Sequence, residues 1–142
     1  MTINQVSVFI GNRPGTLAKI TRVLKAANVN IKALYVADTT DYGILRMVVD
    51  KTDEAVAALK AADLTVSTTK VLAVSLNDAP GGLRGISEIF AANDINIDYI
   101  YAFVTSRQSN EAMVVIRTHD AEEAAKIVVP LGVKVVSEKD LF

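Results

Sequence analysis

The sequence contains one turn twice, and this repeat constrains the fold more than any other feature does. Residues 11–17 read GNRPGTL and residues 77–83 read NDAPGGL, at an offset of 66. The same offset aligns a second shared signature, the Asn-Ile pairs at residues 30–31 and 96–97. Two signatures at one offset indicate a unit duplicated once, since a solenoid would need three or more copies.

Hydrophobic periodicity gives each half the element order strand, helix, strand, strand, helix, strand. QVSVFI alternates as a strand does, and residues 16–27 place their apolar side chains on one stripe of a helix. For the second helix of each half, Thr52 is the expected cap in one, and Asp120 with Glu123 has the form of a capping box in the other.

The order βαββαβ is typical of the ferredoxin-like plait, an α+β fold in which a four-stranded antiparallel sheet carries both helices on one face. The sequence therefore predicts two plaits in series, residues 1–70 and 71–142. Almost no linker separates them, since the strand LTVSTTK runs directly into VLAVSL. Farther along, the offset drifts to about 68, because Leu59 aligns best with Ile127, and this predicts a longer loop around residues 105–110.

The composition disfavours several classes of function. A net charge of −1 gives no electrostatic basis for binding nucleic acid. The chain contains no cysteine, and so no disulfide, thiolate metal site or Cys nucleophile, which fits a cytoplasmic protein. No apolar run approaches the roughly 20 residues that cross a bilayer. The start of the chain lacks the basic residues of a signal peptide.

Catalysis is not expected either. The sequence offers no set of nucleophile, base and orienting group, since its one histidine, His119, lies among polar residues at a helix cap. Other occupants of the plait also fit poorly. A heavy-metal chaperone needs a Cys pair, an RNA-binding plait needs exposed aromatic residues, and Arg-Pro-Gly is too short for the phosphate cradle of an acylphosphatase. We expect a protein without cofactor or metal.

Both halves resemble ACT domains, which are small-molecule sensors, and the resemblance covers essentially the full chain. It rests on GNRPGTLAKITRVLKAANVNI and NDAPGGLRGISEIFAANDINI. The shared features are a polar residue and Pro-Gly after the first strand, a helix that opens with Leu, and Asn-Ile at the second strand. The first half has Asn12 where Asp is common, whereas the second keeps Asp78. The resemblance implies a stand-alone tandem ACT protein that binds a free amino acid where two ACT domains meet and changes the state of a partner.

The chemistry of the turn supports a receptor for a zwitterion. Gly15 and Gly81 permit close approach by a ligand, and the helix after each offers unpaired N–H groups to a carboxylate. Asn12 or Asp78 can accept a hydrogen bond from an ammonium group. The second turn is the better candidate, because it has Asp78 and because Gly82 removes a further side chain from the approach. The candidate ligand-binding residues are Asn12, Arg13, Pro14, Gly15, Thr16, Leu17, Asn30, Ile31, Asn77, Asp78, Pro80, Gly81, Gly82, Leu83, Asn96 and Ile97.

Each signature also has a purely structural interpretation. Pro-Gly before a helix is commonly only a turn, and Asn30 and Asn96 can serve the turn between helix and strand alone. A second hypothesis therefore stays open: a docking or regulatory subunit of an amino-acid metabolic enzyme, like the small subunit of acetolactate synthase, without a ligand of its own. Those subunits carry a further C-terminal domain, whereas the predicted eighth strand ends near Phe142, which weakens this alternative.

The open face of each sheet predicts association. Both helices of a plait cover one face, and an apolar opposite face usually marks an interface. Four apolar side chains are predicted on that face: Phe9, Leu34, Ile100 and Phe103. We expect a homodimer or an intramolecular sandwich of the two sheets. Residues 1–70 hold nine basic and six acidic residues, and residues 71–142 hold six and ten, so the halves carry +3 and −4. This asymmetry has two interpretations. Units of opposite charge favour head-to-tail pairing between chains, or the difference reflects only evolutionary drift of charged residues on solvated faces.

Overall fold

The computed structural model describes residues 1–38, 40–104 and 110–142. It contains two compact units. The first unit is Asn4–Thr69, and the second unit joins Met1–Ile3 to Lys70–Phe142. In the second unit the N-terminal segment is held by Thr2, whose hydroxyl donates to Glu122 Oε1 at 2.6 Å.

The first unit has the predicted order of strands and helices. Its elements are β1 (Ile3–Gly11), α1 (Thr16–Ala26), β2 (Ile31–Asp38), β3 (Tyr42–Val49), α2 (Thr52–Ala61) and the first part of β4 (Thr65–Asn77). The strands lie in the order β2-β3-β1-β4, and β3 is antiparallel to both of its neighbours. Both helices bury one stripe on one face of the sheet, where Ile20 of α1 and Leu59 of α2 pack against Val8, Leu45 and Met47.

The second unit repeats this arrangement. After the second part of β4 come α3 (Gly82–Ala92), β5 (Tyr99–Ala102), β6 (Glu111–Arg117), α4 (Ala121–Val128), a 3-10 turn (Val129–Leu131), β7 (Lys134–Val136) and α5 (Glu138–Leu141). The strand order is β5-β6-β4-β7. Ile86 and Phe90 of α3 pack with Val128 of α4 against Leu72 and Ile116. The predicted fold, two ferredoxin-like plaits, is confirmed.

Several details differ from the prediction. The fourth and fifth predicted strands form one strand of 13 residues, β4. The last strand is only three residues long, and a short helix, α5, follows it where the strand was expected to continue. Thr52 is the first residue of α2 rather than its cap, and the side chain of Lys51, at the cap position, makes no capping hydrogen bond to the helix. The Asp120 cap is confirmed, since its carboxylate accepts from the Glu123 N–H at 3.0 Å.

The strand register corrects the alignment of the two halves. Gly11 pairs with Tyr42, and Asn77 pairs with Glu111. Gly11 and Asn77 are 66 residues apart, whereas Tyr42 and Glu111 are 69 apart. The later offset is therefore 69, and the fully buried Leu59 corresponds to the fully buried Val128 rather than to Ile127. The longer loop predicted near residues 105–110 falls mostly on 105–109, which lie outside the described residues.

Two of the four side chains predicted for the open sheet face lie on the helix face instead. Leu34 pairs with Met47 and Ile100 pairs with Ile116, and both partners belong to the cores. For Leu34 the cause is an irregularity in β2 between Ile31 and Ala33. A bulge there reverses the alternation, so a count from Ile31 puts every later side chain on the wrong face.

The prediction holds for the two phenylalanines. Phe9 pairs with Ile44, and the next pair along the strands, Val8 and Leu45, belongs to the core, so Phe9 lies on the opposite face. The Phe9 side chain is 49% exposed. The Phe103 N–H donates to the Met113 carbonyl at 2.9 Å. Met113 precedes the core residue Val114, so the side chain of Phe103 lies on the face opposite the core. The face opposite the helices therefore carries these aromatic side chains.

Glycines form the junction between the first strand of each unit and its helix. Gly15 and Gly81 precede α1 and α3 with φ of 90° and 87°, a left-handed conformation that costs other residues roughly 1–2 kcal/mol. Gly82 has a different reason to be glycine. A Cβ on Gly82 would lie 2.1 Å from the Asn77 carbonyl oxygen, whereas a Cβ on Gly85, one turn later, would meet nothing within 4 Å.

Gly82→Ala and Gly85→Ala place the same methyl group in the same helix, and we expect opposite effects. Gly85→Ala should stabilise the protein by about 0.5–1 kcal/mol, because alanine loses less backbone entropy in a helix. Gly82→Ala should destabilise it by about 1–3 kcal/mol, because the turn must open to relieve the contact with Asn77. Urea unfolding of both variants measures the difference, and equal effects would refute the close contact.

A second pair of variants tests the assignment of core and open face. Phe90 is 1% exposed and Phe9 is 49% exposed. Phe90→Ala should cost about 3–5 kcal/mol, because it leaves a cavity in the core of the second unit. Phe9→Ala should cost about 1 kcal/mol, mainly through the lost contact with the Tyr42 ring. Denaturant unfolding followed by circular dichroism gives both values, and a cost for Phe9 as large as for Phe90 would contradict the assignment.

Candidate functional site

A crevice of about 400 Å³ opens in the second unit beside the turn NDAPGGL. One wall is the end of β4 from Ser75 to Asn77, and another is the first two turns of α3, from Gly81 to Ile89. Glu111, at the start of β6, and Lys134, at the start of β7, complete the polar part of the lining. The crevice thus combines an apolar helix face with one acidic and one basic side chain.

The strand register brings the polar side chains together. Ser75 pairs with Lys134 on one side of β4, and Asn77 pairs with Glu111 on the other. Lys134 Nζ donates to Glu111 Oε1 at 3.2 Å, and the Ser75 hydroxyl donates to Glu111 Oε2 at 3.3 Å. The Lys134 and Glu111 side chains are 65% and 55% exposed, so the ion pair is solvated. Such a pair contributes little stability, and a ligand can separate it at small cost.

The start of α3 provides the second polar feature of the crevice. Gly81 is at its cap position, and within the described residues no side-chain capping bond is made there. The Gly82 N–H donates to the Ala79 carbonyl at 3.0 Å, which closes the turn. The next N–H groups, of Leu83 and Arg84, are at positions that have no intrahelical partner. An uncapped start of this kind attracts a carboxylate through those groups and through the positive end of the helix dipole.

The residues predicted from the second turn divide into two groups. Asn77, Gly81 and Gly82 line the crevice. Asp78, Pro80 and Leu83 are exposed on the turn and are not part of the lining. The Asp78 N–H donates to the Asn110 carbonyl at 2.8 Å.

Gly82 also has a structural reason to be glycine. Its missing side chain makes room for the Asn77 carbonyl of the same chain.

The first turn shares the left-handed glycine before its helix but has different surroundings. The Asn12 N–H donates to the Asp41 carbonyl, and the Asn12 side-chain amide donates to the Thr40 carbonyl. The Thr16 hydroxyl donates to the carbonyls of Gly11 and Arg13, both at 3.1 Å. Arg13, Pro14, Gly15 and Leu17 are exposed.

The first unit has aromatic side chains where the second has a hydroxyl and a carboxylate. By the repeat offsets, Phe9 and Tyr42 occupy the positions of Ser75 and Glu111, and their ring centres are 5.0 Å apart. The first turn is therefore tied to its own chain and adjoins an aromatic pair.

The two Asn-Ile pairs do not lie at the turns. Along β3, the partner of Gly11 is Tyr42 and the partner of Ile31 is Val49. Seven residues of strand separate these partners, roughly 23 Å at 3.3 Å per residue. Within each unit the Asn-Ile pair is therefore at the end opposite the Pro-Gly turn. The sequence predicts the Asn-Ile pairs as ligand-binding residues together with the turns, whereas the structure separates the two signatures within each unit.

At that opposite end the asparagines make local hydrogen bonds. The Asn30 N–H donates to Asp50 Oδ1, and the Asn96 amide donates to Asp98 Oδ1, both at 2.9 Å. Ile31 and Ile97 pack against the cores of their units. These contacts match the purely structural interpretation of the two pairs.

Glu111 and Lys134 were missed by the sequence prediction, because both are distant from the turn in the chain. Only the pairing of β6 and β7 with β4 brings them to it. Across the described residues, no group of three potential metal ligands occurs. Within the same ranges, no helix is long and apolar enough to cross a membrane.

The chain matches known proteins over its full length. A family model described as an ACT domain pair covers residues 1–142. The structure of protein BT0572 from Bacteroides thetaiotaomicron is similar at 33% identity and a TM-score of 0.91, with 99% of this chain and 96% of that chain covered. The regulatory subunit of aspartate kinase from Thermus thermophilus shares the fold at 20% identity and a TM-score of 0.64, over 91% and 92% of the two chains. No curated protein matches significantly. The chain therefore belongs to the ACT domain pair family.

Proposed function

We propose that this protein is a non-enzymatic regulatory module that binds a free amino acid in the crevice of the second unit. The observation that carries the proposal is the Lys134–Glu111 ion pair beside the uncapped start of α3. An amino acid brings one ammonium and one carboxylate group, and the crevice presents a partner for each. ACT domain pairs and the regulatory subunits that share the fold are consistent with this role.

In the proposed complex, the ligand exchanges the ion pair for two new ones. Its ammonium group binds the Glu111 carboxylate, which already accepts from Lys134 and Ser75. Its carboxylate group binds Lys134 and the N–H groups that follow Gly81. Its side chain lies against Ile86 and Ile89, which give the crevice its apolar wall. Asp78 adds negative charge at the rim of the same turn.

The proposal assigns the ligand to the second turn rather than to both. The first unit offers aromatic rings at the positions of Ser75 and Glu111, and its turn is bonded to its own chain. At these positions the first unit offers neither the hydroxyl nor the carboxylate of the second, and threonine stands at the position of Lys134. Asn12 and the rest of the first turn then act as scaffold.

The effect of binding is exerted on a partner, which makes the protein a sensor. Exposed Phe9 and Tyr42 form an apolar patch on the first unit, and we propose that it serves a homodimer contact or the contact with a regulated enzyme. The composition fits a cytoplasmic setting. The protein has no need of a cofactor or of nucleic acid in this role.

The alternative function is a docking subunit of an amino-acid metabolic enzyme, with no ligand of its own. The same aromatic patch favours it. The two functions differ in one measurable respect, because a docking subunit would not respond to any free amino acid.

We expect at least one of the twenty amino acids to raise the melting temperature of the purified protein in a thermal-shift screen. Glu111→Gln should then weaken binding of the best ligand about ten- to hundredfold, since it removes a charge-assisted hydrogen bond. Calorimetry measures the affinity. Glu88→Gln is the matched control, because it neutralises another exposed ion-paired glutamate, 2.8 Å from Arg84 on the outside of α3, and should leave affinity unchanged.

Asp78→Ala should also weaken binding, by about tenfold, whereas Asn12→Ala at the corresponding position of the first turn should have little effect. Neither change should unfold the protein, because both side chains are exposed. Equal losses in the two variants would move the site out of the second unit. If no amino acid binds the unaltered protein, the docking function replaces the sensor function.

A further inference from the structure

A second crevice, of about 330 Å³, lies at the other end of the second unit. It opens between the turn that joins α3 to β5, residues 93–96, and the start of α4. Its apolar lining comes from Ile95, Ala124 and Ile127. The volume is at the lower end of the range in which proteins bind small molecules. This crevice is separate from the proposed amino-acid site, which is at the Pro-Gly end of the same unit.

Thr118, which also lines this crevice, is the reason to expect a ligand there. Its side chain is 1% exposed, and its hydroxyl has no hydrogen-bond partner among the described residues. Burying an unpaired hydroxyl is costly, and most buried polar groups in native structures are paired. At the corresponding position of the first unit, 69 residues earlier, stands Val49, which is equally buried and needs no partner.

The first unit shows what occupies the equivalent place. There Lys51 Nζ donates to the Asn28 carbonyl at 2.9 Å, so an ammonium group of the chain itself ties the start of α2 to the preceding turn. By the offsets of 66 and 69, Asn28 corresponds to Asp94 and Lys51 to Asp120. The second unit has therefore lost the internal ammonium and gained a carboxylate at each of the two positions.

The other charged groups around the crevice keep it negative. Glu123 lies on the rim, and its N–H is taken by the Asp120 cap at 3.0 Å. His119 is exposed beside it. The Arg117 guanidinium donates to the backbone carbonyls of Thr118 and His119. Lys126 lies in the last turn of α4, at the far end of the helix.

We propose that this crevice binds a small aliphatic ammonium compound, in the place that Lys51 fills in the first unit. The ammonium group lies between the carboxylates of Asp94 and Asp120 and donates to the Thr118 hydroxyl. The aliphatic body lies on Ile95, Ala124 and Ile127. A ligand with a carboxylate of its own is disfavoured, because three carboxylates surround the opening. This site is independent of the amino-acid site and does not rest on the function proposed for it.

The test uses n-butylammonium chloride as the probe, titrated into the isotopically labelled full-length protein and followed by amide NMR shifts. We expect saturable shifts at residues 93–96 and 118–124, with a dissociation constant on the order of millimolar for so small a ligand. Sodium butyrate has the same chain length and the opposite charge, and it should cause no saturable shift at these residues. Equal responses to both probes, or no response to butylammonium, would overturn the proposal.

Three variants identify the groups responsible. Thr118→Val should weaken butylammonium binding about tenfold while raising the melting temperature, whereas Thr118→Ser, which keeps the hydroxyl, should retain binding. Asp94→Asn should weaken binding severalfold. Asp94 has a positive φ of 56°, a conformation that asparagine also tolerates, and Asp63→Asn, at a φ of 60° in the first unit, is its matched control.

The variants also separate a binding role from a merely structural one. If Thr118→Val raises the melting temperature but leaves affinity unchanged, the hydroxyl is only an unpaired core group and the proposal is wrong. If Asp63→Asn weakens binding as much as Asp94→Asn does, the effect is one of net charge rather than of this crevice, and the proposal is wrong as well.

Discussion

The antiparallel register of β4 with β6 and β7 is the interaction on which the candidate site depends. It sets Asn77 against Glu111 and Ser75 against Lys134, and so brings an acid, a base and a hydroxyl to the end of β4, where they line one crevice together with the first turns of α3. A slip of one residue would send all of these side chains to the other face. The core pairs oppose such a slip, because it would move Leu72 or Ile116, which are paired and buried, out of the core.

The repeated turn was sufficient to predict the fold, since it marks both copies and each copy has clear periodicity. The candidate site was predicted only in part. Asn77, Gly81 and Gly82 line it, but Glu111 and Lys134 reach it through pairing between strands, which local sequence patterns do not encode. Leu34 was misplaced for a related reason, because the bulge in β2 is invisible to a count of alternating residues.

The two units show how the same backbone supports different surface chemistry. Aromatic rings in the first unit correspond to a hydroxyl and a carboxylate in the second, and a lysine that bridges two elements in the first corresponds to an aspartate cap in the second. The cores are conserved in character, with Leu59 and Val128 equally buried. After duplication, the buried face of each unit has thus stayed apolar, whereas the residues of the loops at both ends of the sheet have diverged.

The contact between Gly82 and Asn77 implies that the two turns are not interchangeable parts. Thr16 stands at the equivalent position of the first turn, where its hydroxyl reaches the Gly11 carbonyl. A glycine could replace Thr16 without a collision at that position. Threonine at residue 82 would instead place its Cβ 2.1 Å from the Asn77 carbonyl oxygen, so the backbone there would first have to change. Exchange of this one residue between the copies is therefore sterically possible in one direction only.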